Sequence, residues 1–323
     1  MASYQFLPLS DQAARQLIDS TAVFEEYRRV RKEAARLAGG MYWKKQDQYE
    51  YLVKTWPDNR SKSLGPRNAE TEQAYASFMQ KKTRVEARLK GLGEAVREAE
   101  RMNKALRVGR APGIVVAILQ ALEKAGLDEH FIVVGTHALY AYETAAGVRI
   151  AASALATKDV DLLWDARKQV QFFSDMKRID GSMLGLLRKV DLTFERIEDR
   201  KETAINSSGF QVDFLRRMQV EGDPNPLPLT ETEGDLFVVQ ARRASVLNEA
   251  PPFEHVIVSA TGRMAGMRTI DPRVFARFKQ WLSRREDREA VKRGRDRSQA
   301  EIVAAMLEQK LLVSKMPGVA SAD

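Results

Sequence analysis

The stretch Ala156-Thr-Lys-Asp-Val-Asp-Leu-Leu-Trp-Asp165 sets two aspartates one residue apart in an otherwise apolar run. Side chains two apart on a strand point the same way, so Asp159 and Asp161 share one face while Val160 and Leu162 pack on the other. Two carboxylates this close repel, and in a partly buried site one is driven toward protonation unless a cation lies between them. Magnesium suits such a pair, because it takes hard oxygen ligands and shares them with substrate phosphates. The plainer reading is that an aspartate at a strand edge caps a neighbouring loop.

Two further stretches bear on that choice. In Val133-Val-Gly-Thr-His-Ala-Leu139 a short buried strand turns at Gly135 into a helix. Its first N–H groups and positive dipole end suit phosphate oxygens, and Thr136 adds a hydroxyl. In Gly209-Phe-Gln-Val-Asp-Phe-Leu215, Asp213 interrupts another apolar strand and is a candidate third carboxylate.

The ordered set Val134-Gly135-Thr136, Asp159-Val160-Asp161-Leu162 and Val212-Asp213-Phe214 resembles the nucleotidyltransferase superfamily of DNA polymerase β, whose pattern is hG[GS], DhDh, hDh. Thr136 stands where the family has Ser or Gly, and 22 residues separate it from Asp159 where about a dozen are usual. Ala145-Ala-Gly-Val-Arg-Ile-Ala-Ala-Ser-Ala-Leu155 is therefore expected to loop out. The wider layout resembles an uncharacterised bacterial branch of the superfamily over about 40–305. Over the core alone it is similar to the abortive-infection type nucleotidyltransferase toxins, which carry a downstream lysine and aspartate. Lys279 and Asp296 match these.

The resemblance implies a mixed α/β (α+β) fold: a minimal core with a mixed sheet, flanked by helical N- and C-terminal regions. It implies two Mg2+ ions, with Mn2+ as a substitute, on Asp159, Asp161 and Asp213, and an NTP such as ATP as donor substrate. Gly135 and Thr136 are expected at the β- and γ-phosphates. Lys279 is expected to neutralise the leaving group or, alternatively, to be a solvated lysine on an amphipathic helix. Asp296 is expected to orient Lys279 or to pair with Arg293 or Arg295. The reaction implied moves a nucleoside monophosphate from an NTP to an acceptor hydroxyl, on a tRNA end or other RNA, a protein or a small molecule. The alternative is a non-catalytic RNA- or partner-binding protein with the same core.

Composition narrows the rest. With no cysteine, thiolate zinc sites and a cysteine nucleophile are excluded, and the three scattered histidines form no H-x-x-x-H pattern that would favour a histidine-built metal site. The net charge of +8 fits a polyanionic partner and equally fits an ordinary basic protein. No apolar run is long enough for a membrane span and the N-terminus has no secretory pattern, so a cytoplasmic protein is expected.

The spacing predicts three regions: 1–110, helical with a small β-hairpin; 111–220, the catalytic core; and 221–323, α/β and then helical. Within the first, apolar positions predict a helix over 8–39 and two aromatic strands around Gln46-Asp47-Gln48, then a loop over 57–68 and a long charged helix with a break near Gly91 or Gly93. Further on, helical material is expected at 166–188, strands at 189–197 and 210–215, a polar loop at 221–235 and a frayed end from 315. His137, Tyr140 and Tyr142 read first as packing residues. The basic run 283–297 reads as a solvated helical face or an RNA-facing one. The aromatics of 42–56 read as base-stacking or as a hairpin closing over helices.

Overall fold

The computed structural model describes residues 6–165, 169–178, 181–216, 226–241, 247 and 250–315. The chain divides into two compact units, one formed by Met1–Leu17 with Asn103–Asp323 and the other by Ile18–Met102. Strand β1 (Phe6–Pro8) lies in the larger unit, and helix α1 (Asp11–Arg36) leads into the smaller. Ala13, Leu17, Ser20 and Phe24 recur at helical spacing along α1 and are buried. Asp11 in its first turn and Arg36 in its last complement the helix dipole.

The smaller unit continues with β2 (Gly40–Gln46), β3 (Tyr49–Thr55), β4 (Ser61–Pro66) and α2 (Ala69–Ala105). The expected two-stranded hairpin gains a third strand, because β4 pairs antiparallel with β3. Ser-Lys-Ser-Leu-Gly-Pro has neither alternation nor β-branched residues, so this strand exists through its partner rather than its own propensity. Adjacent Leu52 and Val53 are both buried, so the middle strand is covered on both faces. Trp43 packs against Tyr75 with ring centroids 5.9 Å apart, and Arg67 lies 5.1 Å over the Trp43 ring. Tyr42 and Tyr49 stay exposed. Helix α2 runs unbroken through Gly91 and Gly93; each costs about 1 kcal/mol against alanine, a small sum over 37 residues.

The larger unit adds α3 (Gly113–Lys124), β5 (Phe131–Val134), α4 (Ala138–Ala146), β6 (Val148–Ile150), α5 (Ala152–Leu155), β7 (Asp159–Trp164), α6 (Gln169–Arg178) and α7 (Met183–Arg188). Strands β8 (Glu195–Ile197), β9 (Arg200–Ile205), β10 (Gln211–Arg216), β11 (Leu227–Pro228), β12 (Phe237–Gln240), β13 (Pro252–Val258) and β14 (Met264–Ile270) follow, then α8 (Pro272–Ser283) and α9 (Ala290–Glu308). Nine of these strands form one mixed sheet along the path β11-β12-β10-β7-β5-β14-β13, with β9 on β10 and β8 on β9. The fold is thus mixed α/β, as the residues and the resemblance imply. Among the described residues no helix is long and apolar enough to cross a membrane.

Strand direction in the middle of this sheet positions the site. Strands β7 and β10 are parallel, whereas β5 runs antiparallel to β7. The C-terminal end of β5 therefore meets the N-terminal ends of β7 and β10. Phe131, Phe172 and Phe214 interlock edge to face at 5.7 and 5.8 Å and lock these elements together. Tyr142 lies in the core of α4 and donates its hydroxyl to the Ile270 carbonyl at 2.7 Å.

Two expectations are corrected here. The stretch 145–155 is ordered rather than looped out: α4 ends at Gly147, whose φ of +63° makes a left-handed cap, and β6 then pairs antiparallel with β1. The strand expected over 189–197 shortens to β8, because the Asp191 carboxylate accepts from the Thr193 N–H and hydroxyl and holds a turn. Its partner β9, rich in charge, has no alternating apolar pattern to announce it. The helical, loop and terminal expectations lie outside the described residues at 166–168, 179–180, 221–225 and 316–323.

Candidate active site

Residues Val134, Asp161 and Asp213 occupy one row across the sheet, since Val134 pairs with Asp161 and Asp161 with Asp213. Asp159 stands two residues back on the same face of β7. Carboxylate oxygens of Asp159, Asp161 and Asp213 all lie within 4.8 Å of one another, and all three residues are partly buried. Oxygens on opposite sides of a small divalent cation bonded at 2.0–2.1 Å lie about 4 Å apart, so the donor set fits such an ion with little adjustment.

The electrostatics are those of a concentrated negative charge. Burial pushes the Asp161 carboxyl up to about 7, and the neighbouring Asp159 and Asp213 push the same way; Lys279 and Arg288 pull it back. Burial also raises Asp213, against the Thr203 hydroxyl and Arg200. Thr203 donates to Asp213 Oδ1 at 2.5 Å and Arg200 Nη2 reaches the same oxygen at 3.1 Å. Among the described residues no hydrogen-bond donor meets Oδ2 of this carboxylate. Thr157 donates its hydroxyl to Asp159 Oδ1.

Gly135 follows β5 with a φ of +72°, a conformation side-chain-bearing residues rarely adopt. A Cβ there would overlap Asp161 Oδ2 and stand 3.3 Å from its Cγ. The glycine is thus a condition for the carboxylate's position. Thr136 is buried, and helix α4 starts behind it at Ala138. Buried His137 stacks on Tyr140 at 5.7 Å, with Phe210 at 6.1 Å, and among the described residues neither ring nitrogen has a hydrogen-bond partner. Burial lowers its pKa to about 4, against the attraction of Asp159.

The structure brings the remaining sequence candidates together from α8 and α9. Lys279 Nζ donates to Asp296 Oδ1 at 2.9 Å, and both residues are buried, so Lys279 is not a solvated surface lysine. Burial pulls the ammonium below its usual range, against the Asp296 carboxylate. The second partner of Asp296 is Arg288, on Oδ2; Arg295 instead donates to the Ala156 carbonyl at 2.6 Å. Sequence reasoning missed Arg288, Arg200, Thr203 and Gln299. Gln299 is fully buried on α9 and reaches Thr136 Oγ1 at 3.1 Å. Its one signal was its place three residues beyond Asp296.

Carboxylates that can gather a cation, beside a glycine turn and a helix N-terminus that can meet anionic oxygens, make up a site of the polyphosphate-handling class. Residues 114–317 match the family model for nucleotidyltransferases. That range is well over half of the chain, and the protein belongs to this family. No curated protein and no solved structure matches the chain.

Proposed function

We propose that the protein transfers a nucleoside monophosphate from an NTP to an acceptor hydroxyl with release of pyrophosphate. The observation that carries this reading is the three-aspartate cluster with Gly135 set against the Asp161 carboxylate. Asp159, Asp161 and Asp213 would hold divalent cations, Mg2+ before Mn2+. When bound, these lower the charge barrier to attack at the α-phosphorus.

This chain's own residues do the rest. The Gly135-Thr136 turn and the start of α4 receive the β- and γ-phosphates. The acceptor oxygen bonds to the α-phosphorus as the bond to the β-phosphate oxygen breaks, and the hydroxyl proton passes to solvent or a carboxylate. Lys279, held by Asp296, sets a positive charge near Asp161 that offsets charge on the leaving pyrophosphate. The acceptor hydroxyl lies on a tRNA end or other RNA, on a protein or on a small molecule; the resemblance to abortive-infection type toxins favours host tRNA or another protein.

The test is transfer of label from each of four α-labelled NTPs, with Mg2+, onto total RNA, protein and small-molecule fractions, beside Asp159→Asn and Asp161→Asn. Label that needs both aspartates is the expected result. Transfer undiminished in either variant refutes the assignment. The rival reading, RNA binding without catalysis, predicts salt-sensitive binding indifferent to Mg2+ and to Asp159→Asn.

A further inference from the structure

Gln299 binds with only one end of its amide. Its Nε2 lies 2.6 Å from the Ala154 carbonyl oxygen and 3.1 Å from Thr136 Oγ1, while its Oε1 is buried without a partner among the described residues. A carbonyl oxygen only accepts, so the amide atom facing Ala154 must be the nitrogen, which fixes the orientation of the whole group. Its two hydrogens are then both used, one on Ala154 and one on Thr136. Thr136 Oγ1 accepts, and its own hydrogen is left over; among the described residues it finds no acceptor. Thr136 stands just before α4, and a hydroxyl that already accepts from Gln299 and keeps its own hydrogen to give is biased toward donating to a further acceptor.

We infer that Gln299 is a positioning residue that holds the Thr136 hydroxyl as a hydrogen-bond donor toward the triphosphate of the NTP. The inference rests on the proposed nucleotidyl transfer and deepens it, because it makes the strength of triphosphate binding depend on a residue of α9 that touches no phosphate. It also assigns a use to the cost of burying Gln299 Oε1 unpaired. An apolar residue of similar size would fill the space without that cost, but it would leave the Thr136 hydroxyl free to rotate.

Gln299→Glu keeps the shape and reverses the polarity: a carboxylate cannot donate, so the Thr136 hydroxyl turns its hydrogen toward Glu and away from substrate. Gln299→Met removes both bonds at similar volume and serves if the Glu variant does not fold. Mg2+-dependent binding of ATP and AMP is measured for wild type, both Gln299 variants, Thr136→Val and the double variants, with melting temperature as the folding check. The expected result is an ATP affinity about tenfold or more lower in Gln299→Glu, less lowered in Gln299→Met, with AMP unchanged. In the Thr136→Val background the Gln299 substitutions are expected to add nothing. Equal losses for ATP and AMP, or full additivity with Thr136→Val, overturn the inference while leaving the functional reading intact. A folded wild type that binds no nucleotide overturns the functional reading and the inference with it.

Discussion

The Cα of Gly135 lies against the Asp161 carboxylate so closely that a single added carbon would overlap Oδ2. The contact arises because β5 and β7 are antiparallel neighbours with Val134 opposite Asp161, which sets the next residue of the turn beside that side chain. The turn that opens α4 and the acid that anchors the cluster are therefore one structural unit.

Gly135→Ala tests that unit. The added methyl must displace Asp161, and alanine must also hold a φ of +72°, a strain of roughly 1–2 kcal/mol. The expected outcome is a modest fall in melting temperature with loss of label transfer of about a hundredfold or more, as for Asp161→Asn. A stable variant with full transfer would show that the carboxylate does not need its present position.

Asp161 makes divalent-cation binding depend on pH. With its carboxyl pushed up to about 7, the folded protein holds a proton there that a bound cation must displace. Affinity for Mg2+ should rise about tenfold between pH 6 and pH 8, with proton uptake by buffer visible as heats that differ between two buffers in calorimetry. Because the folded value is raised, the cation-free fold binds more protons than the unfolded chain between about pH 4 and 7. This group's contribution to stability is present at the acid end of that window and lost as pH rises through 7.

His137 contributes with the opposite sign. Its folded value of about 4 lies below the ordinary histidine value, so the unfolded chain takes up a proton first as pH falls through 6.5. Stability from this group is present above pH 6.5 and falls by about 3 kcal/mol on acidification to pH 4. His137→Phe, which also removes two unpartnered ring nitrogens, should flatten that slope without lowering the melting temperature at pH 7. A steeper acid slope in the variant would contradict a buried neutral imidazole.

Breaking the α8–α9 ion pair from the acid side should be worse than deleting it. Asp296→Asn leaves Lys279 and Arg288 facing a neutral amide, with Lys279 buried, at a cost of about 3 kcal/mol or more. The double variant Lys279→Met/Asp296→Asn should recover much of that stability in thermal unfolding yet remain inactive. Recovery of transfer in the double variant would remove Lys279 from the chemistry.

The two aspartates of β7 could be read from the chain alone, because alternation on a strand fixes their common face whatever surrounds it. The same holds for the strand, glycine and helix around Gly135, where a buried run, a turn residue and a helical period follow in order. Strands such as β4 and β9 could not be read this way. Their residues are mostly polar with no alternating apolar pattern, and their strand hydrogen bonds need a partner strand already in place.

Lys279, Asp296 and Gln299 mark the limit of sequence. The resemblance singled out the lysine and the aspartate. That Asp296 takes Arg288 as its second partner, and that Gln299 reaches back to Thr136 across 163 positions, follows from the packing of α9 against α8 and α5. The sequence by itself determined the chemical groups, their order and the faces they share within one strand or helix, since these depend on local geometry. Only the tertiary structure decided that β10 sets Asp213 level with Asp161, that Thr203 and Arg200 meet the same oxygen of Asp213, and that Gln299 donates to Thr136. Strand register and hydrogen-bond direction are set by atoms distant along the chain, and no local pattern encodes them.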